Sequence, residues 1–510
     1  MGRLLRWRWR ESATPTRGDI SPNQTLVVYN SAAAESLPLL ASYLAAHPGI
    51  PPENVLDLNY AGLLTPDVTY ATFVQRIRDP IRAYLAAPGL PDPSSIILIV
   101  ILRPFPHRVQ DPANPGLGDS PSAAANAFVA GRAGYASVDS ELTLLWQPLD
   151  SGEAGGTMDS KSDNAIVNPY HGSPTPIDTI SRANILTAQP FTNVLNVAWF
   201  LDGTTMTPGD MYLVCRVDGT TLSDAQALIS RAAGLYVNKN VARALFDEYN
   251  TAARPPLDDD SLFTPPSADP FWGGPDYDDA QAVLVGAGFM VRHDETFNFI
   301  TGPEDSGRLI LYASYGENHS LGGAGEDPPG LGVYIDTFAG KFVRGAIFNT
   351  IESFNCRAFG GLGTMANQEQ AADFFAVGGT FAVGSVWEPL SGLVPDNEFV
   401  AQNFLVNNRT WAEAAWSAIP ALSWATIAVG DPLAKAAVIA DPGLPTGDMN
   451  GDGFVRGDDV QWFVTVLNGG EATYRAAFPA LDPLLRGDFT GDYQVHSDDI
   501  PGFIAALMAP

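Results

Sequence analysis

Cysteine is nearly absent from this chain: Cys215 and Cys356 are the only two in 510 residues. That excludes a disulfide framework and a zinc site built on paired cysteines, and leaves one bridge or two free thiols. Basic residues are scarce as well, 28 Lys and Arg against 57 Asp and Glu, for a net charge of -29. Such a chain repels a phosphate backbone, so nucleic-acid recognition through a basic face is not expected, and cations are attracted instead. Long apolar runs are missing too. Residues 96–102 have strand length and stop at Arg103-Pro104, well short of the roughly 18 residues a membrane span needs. The start carries Arg3, Arg6, Arg8 and Arg10 with no apolar stretch behind them. Residues 1–23 therefore read as disordered or mis-started, with an export signal upstream as one reading and a cytoplasmic protein as the other.

What is present is the composition of a folded protein, 45% hydrophobic and 17% charged, long enough for two or three domains. From residue 24 to 440, strand-like and helix-like patterns alternate. Residues 25–29 and 54–58 read as strands, with a helix between them carrying Leu37, Leu40 and Leu44. Phe73, Ile77, Ile81 and Leu85 mark a further helix with Pro80 inside it, and the 96–102 strand follows. Strands are also expected at 195–201, 211–216, 308–313, 346–351 and 380–386, and helices at 223–233, 279–285 and 373–377. This alternation predicts an α/β fold, a mainly parallel sheet flanked by helices, in two successive units over 24–240 and 241–440. Residues 149–180 and 254–277 are long irregular stretches, the second with acidic groups best read as solvated. Residues 441–447, rich in Pro and Gly, read as a linker.

The chain ends in two acidic loops. Asp448, Asn450, Asp452 and Asp459 fall at positions 1, 3, 5 and 12 of the first, with Gly453 at the turn and the Phe454 carbonyl available between them. A hard cation such as calcium takes six to eight oxygens from a loop folded in this way. Val460, Phe463, Val464 and Leu467 follow at helical spacing. The pattern returns at Asp488, Thr490, Asp492, Gln494 and Asp499, with Tyr493 in the turn position, and is followed by Ile500, Phe503, Ile504 and Leu507. Residues 448–510 thus resemble type I dockerin modules, whose loops also close on Asp. The resemblance implies a small all-α, EF-hand-like calcium module with a cohesin-like or cell-surface partner, and favours an extracellular or cell-surface location.

Two loops of the α/β region hold candidate chemistry. Gly316-Glu317-Asn318-His319-Ser320 follows one predicted strand, and Glu352-Ser353-Phe354-Asn355-Cys356 follows the next. A cysteine nucleophile needs a base beside it, and parallel neighbouring strands would bring His319 to Cys356. Cys215, inside a strand, reads as core. Arg216 and Asp218, with Asp139 and Glu141, read as a substrate clamp or a buried ion pair.

The order Asn318-His319-Ser320, Asn355-Cys356, helix and strand over 370–386, then Val429-Gly430-Asp431-Pro432 is similar to gingipain-type peptidases. That likeness implies a caspase-like three-layer sandwich, possibly as two side-by-side subunits, with Cys356 as nucleophile and His319 as general base. Segments such as 26–31, 137–142, 212–220, 386–389 and 421–433 also resemble a bacterial family of conserved proteins with no assigned reaction. Three functions are compatible: an exported cysteine peptidase-like hydrolase acting on peptides, a non-catalytic binding or assembly protein on a degenerate peptidase scaffold, and a dockerin-bearing polysaccharide-degrading enzyme.

Overall fold

Ten strands form, most of them from short apolar runs: β1 (Thr25–Tyr29), β2 (Val55–Asp57), β3 (Leu98–Leu102), β4 (Leu213–Val217), β5 (Ala242–Asp247), β6 (Met290–Asp294), β7 (Arg308–Ser314), β8 (Phe342–Phe348), β9 (Phe381–Ser385) and β10 (Thr426–Val429). The structure is a computed structural model and describes residues 20–509 except 89–91, 93, 111–135, 148–165, 173, 183–205, 249–275, 297–298, 306, 317–333, 353, 360–367, 388, 390–392 and 492–493. All ten strands join one sheet in the order β6-β5-β7-β8-β9-β10-β4-β3-β1-β2. Every residue of β3 is fully buried, which requires cover on both faces of the sheet.

The sheet is two five-stranded halves with the same internal order. In one, β2-β1-β3-β4-β10, every pairing is parallel. In the other, β6-β5-β7-β8-β9, every pairing is parallel as well. The halves meet through β9 and β10, which pair antiparallel with Gly384 opposite Ile427. Their carboxyl edges therefore lie at opposite ends of the sheet. The two halves do not follow chain order throughout. The first half takes its fifth strand, β10, from the second stretch of sequence. A four-residue apolar run carries no mark of which half it will complete.

Helices flank the sheet: α1 (Ser36–Ala46), α2 (Asp79–Ala86), α3 (Val138–Thr143), α4 (Leu222–Ala232), α5 (Tyr277–Gly286), α6 (Ala371–Ala376) and α7 (Trp411–Ala418). α4 shows why they form. Thr221 and Asp224 make a capping box at its start, and Ala225, Leu228, Ile229 and Ala232 fall on one buried face. The helix expected around Pro80 is interrupted. Tyr70–Phe73 is α-helical, Val74–Arg78 is a π-helical stretch, and α2 then begins with Pro80 in its first turn. Proline has no N–H to give to the preceding turn, and the wider π turn accommodates the loss. The strand expected at 346–351 begins earlier and ends at Phe348. That expected at 195–201 lies outside the described residues.

Beyond residue 447 the described elements are helices: α8 (Asp459–Leu467), α9 (Glu471–Ala477), α10 (Pro483–Gly487) and α11 (Ile500–Leu507). They enclose a small core of Met449, Phe463, Val466, Tyr474, Leu481 and Phe503. Phe463 and Phe503, equivalent in the two repeats, stack with ring centroids 4.0 Å apart. Val460 and Val464, grouped with Phe463 and Leu467 by helical spacing, are exposed. Phe463 and Val466 fill the core in their place, so the buried stripe is narrower than the apolar pattern.

The expected linker is not a free tether. Ala437–Ile439 pairs in parallel with Tyr236–Asn238 and leads directly into Asp441, which is fully buried. Asp441 is ion-paired to Arg486 of α10 and accepts the Asp482 N–H at 2.7 Å.

Candidate functional site

Cys356 lies in the loop after β8, and hydrogen bonds stitch this loop to β9. The Cys356 N–H donates to the Ser385 carbonyl at 3.0 Å, and the Asn355 side-chain oxygen accepts the Ser385 N–H at 2.8 Å. Gly384 is required beneath them, because a Cβ there would overlap both the Asn355 side chain and the Cys356 sulfur. The thiol is fully enclosed. Burial pushes its pKa far above the ordinary range; Arg216 opposes this and Asp139 adds to it. Cys215 is equally buried and its thiol is likewise raised, first by burial and then by Asp139 and Asp431. The two cysteines are free thiols.

His319 lies outside the described residues, but the strand before it, β7, is the parallel neighbour of β8. The loops leaving these strands touch. Gly316, at φ +85°, rests against Glu352 so closely that a Cβ would overlap its side chain. Glu352 is itself held by the Tyr334 hydroxyl at 2.8 Å and the Thr350 hydroxyl at 3.1 Å. Glu369 stands nearby and gives its N–H to Glu352 at 3.2 Å. Burial, with the Glu352 charge beside it, raises the Glu369 carboxyl well above the usual range.

The sequence reading missed His107. It comes from the first half and bonds through Nε2 to the Arg357 carbonyl, one residue past Cys356, with its ring edge-on to Phe359 at 5.5 Å. Burial, then the guanidinium groups of Arg216, Arg108 and Arg357, hold this imidazole neutral. One signal was available. His107 and His319 each stand five residues beyond the last residue of the equivalent strand in the two halves, Leu102 and Ser314.

Arg216 belongs to a buried ion network. It grips Asp139 through Nε at 3.0 Å and through Nη2, and reaches Asp218 at 3.3 Å. Arg103 links Asp218 at 3.3 Å to Glu35 at 3.4 Å. Of the two roles open to Arg216, the ion pair is the one observed. Glu141 accepts the Ser423 hydroxyl, and Asp431 pairs with His47 at 2.8 Å, so both anchor loops.

The first C-terminal loop closes on Asp448 and Asp459, both fully buried. Asp448 accepts the N–H groups of Gly451 at 2.7 Å, Asp452 at 3.1 Å and Gly453 at 2.8 Å. Asp459 accepts those of Met449, Asn450 and Arg456 at 2.7, 3.0 and 2.7 Å. Gly453, at φ +90°, allows the turn. Asp499 repeats the arrangement in the second loop, accepting from Phe489, Thr490 and His496 at 2.8, 2.9 and 2.8 Å. Burial, together with the Asp448 charge, raises the Asp459 carboxyl. Among the described residues no Lys, Arg or His pairs with Asp448 or Asp459, so two enclosed carboxylates stand without a counter-charge. Asn450 and Asp452 are turned to neighbouring groups: the Asn450 amide donates to Asp458 at 3.0 Å, and exposed Asp452 accepts the Phe454 N–H at 2.9 Å. No three His, Cys, Asp or Glu side chains converge as a metal cluster among the described residues. The donor types of the loop, carboxylate, amide and carbonyl oxygen, still fit a hard cation. Asp488 accepts the Gly491 N–H. Asp492, expected as a ligand, lies outside the described residues.

The fold defines a mixed α/β protein on a large, mostly parallel sheet flanked by helices, with a helical unit at its C-terminus. Among the described residues no helix is long and apolar enough to cross a membrane. No family model, curated protein or solved structure matches this chain.

Proposed function

We propose that this chain is an exported calcium-binding protein whose α/β domain serves binding or assembly on a peptidase-like scaffold. The pair Asp448 and Asp459 carries the reading: two buried carboxylates in one loop, with no cationic side chain among the described residues paired to either. A divalent cation supplies the missing charge. Asp448, Asn450, Asp452 and Asp459 would hold it with the Phe454 carbonyl. Asp488, Thr490, Asp492, Asp499 and the Gln494 carbonyl would hold a second. Val464 and Ile504, equivalent across the two repeats, are both exposed, and each offers an apolar contact point to a cohesin-like or cell-surface partner. Titration calorimetry of the full chain tests the calcium reading. Heat on calcium addition is expected, with helical circular dichroism rising from the level in chelator; a thermally silent titration refutes it.

A second reading, a cysteine hydrolase, is favoured by the contact of Gly316 with Glu352, which stand three residues before His319 and four before Cys356 in the sequence. His319 would take the Cys356 proton, the sulfur would attack a peptide carbonyl, and the leaving amine would receive the proton before water released the acyl group. The enclosed, protonated thiol ranks this reading second. Fast alkylation of native Cys356 over Cys215, with cleavage of a peptide library abolished by Cys356→Ala, would reverse that ranking.

A further inference from the structure

The C-terminal module is clamped to the α/β domain by buried polar contacts. Asp482, at the start of α10, accepts the Tyr236 hydroxyl at 3.0 Å and the Asn238 amide at 3.1 Å while also capping α10 through the Leu484 N–H at 2.9 Å. Arg486, near the other end of the same short helix, is ion-paired with Asp441 and donates to the Leu444 carbonyl. Asp441 and Arg486 are fully buried, Asn238 and Asp482 nearly so. Outside this clamp, Arg475 of α9 lies over the Tyr236 ring at 3.7 Å, and Arg344 of β8 pairs with Glu471 at 3.2 Å. Arg308, first residue of β7, donates to the Gly491 carbonyl inside the second loop at 3.2 Å.

The same helix touches the start of both acidic loops. The N–H of Gly447, the residue before Asp448, donates to the Arg486 carbonyl at 2.8 Å, and the Asp488 N–H donates to the Leu484 carbonyl at 3.0 Å. Whatever orders the loops therefore orders α10, and α10 carries both clamp residues. Buried charges hold only when paired, so a disordered α10 would leave Asp441 enclosed without its guanidinium. Docking and loop order must then favour each other to the same extent, as two events sharing one element do.

We infer that calcium binding in the C-terminal loops and docking of the module onto the α/β domain are one linked equilibrium, transmitted by α10 through Asp482 and Arg486. This rests on the calcium reading above and adds that the module acts on its own α/β domain. The sensitive point on that domain is the two-stranded ladder of Tyr236–Asn238 and Ala437–Ile439, which receives the clamp.

Hydrogen exchange of the full-length protein, in calcium and in chelator, tests the link. Saturating calcium is expected to slow the amides of 236–238 and 437–439 by about tenfold or more, together with those of α8 and α11. In the Tyr236→Phe, Asn238→Ala variant, which removes the Asp482 arm and keeps the Arg486 arm, calcium should still slow α8 and α11 while its effect on 236–238 is reduced. Slowing confined to the module in the wild-type protein overturns the inference and leaves the calcium reading standing. No slowing anywhere overturns both.

Discussion

Arg486 and Asp441 form an ion pair from which solvent is wholly excluded, one from a helix of the C-terminal module and the other from the stretch that enters it. Removing one partner of such a pair leaves a buried charge uncompensated, which costs far more than the pair contributes. Arg486→Met is expected to destabilise the protein by about 3–5 kcal/mol. The double variant Arg486→Met, Asp441→Leu should recover most of that loss. Denaturant unfolding followed by tryptophan fluorescence measures both. A double variant no better than the single one would show that the carboxylate is not left stranded.

Gly316 holds the loop that leads to His319 against Glu352. Its positive φ disfavours any side chain, and a Cβ would drive into the Glu352 carboxylate. Gly316→Ala should therefore lower stability by about 2–4 kcal/mol, combining backbone strain with overpacking. An unchanged melting temperature would mean that the two loops part easily.

Asp247, at the carboxyl end of β5, is raised to about 7 by burial, with the Asp294 and Glu304 charges adding to the effect and the Ile300 N–H and Arg292 opposing it. The folded state thus holds this proton where the unfolded chain has already released it. The contribution to stability is full below the unfolded value of 3.8 and is lost as pH rises through about 7. Asp247→Asn keeps an acceptor for the Ile300 N–H, bonded at 2.7 Å, and has no proton to lose. Relative to wild type, the variant should gain stability between pH 4 and pH 8, by up to about 4 kcal/mol. Parallel pH–stability curves for the two proteins would rule this out.

Asp459→Asn separates charge from shape in the first loop. The amide oxygen can still accept the Met449 and Asn450 N–H groups, the repulsion from Asp448 disappears, and the Arg456 N–H loses the second carboxylate oxygen as its acceptor. In chelator the variant should be no more helical than wild type, while calcium affinity falls by about two orders of magnitude. Calorimetry and circular dichroism read the two effects separately. Affinity preserved in the variant would place the cation elsewhere.

Much of the architecture could be read from local chemistry. The all-aliphatic β3 called for cover on both faces, and the helical spacing of 223–233 marked α4. The repeat of Asp448 and Asp459 as Asp488 and Asp499 called for two equivalent loops. These features depend on residues a few positions apart, so the chain carries them in its spacing. The contact of Gly316 with Glu352 also followed from strand order, since β7 and β8 are consecutive in both chain and sheet.

Other features depended on contacts between residues hundreds of positions apart. Nothing in Thr426–Val429 says that it completes the first half of the sheet, or that the halves run in opposite directions. His107 is an ordinary histidine until the fold brings it to the Arg357 carbonyl, where burial and then neighbouring guanidinium groups keep it neutral. A Pro- and Gly-rich stretch reads as a tether, and only burial of Asp441 against Arg486 makes it a joint. Burial also decides the state of Cys356, because the pKa of a thiol is set by the solvent and charges around it, and those belong to the tertiary structure alone.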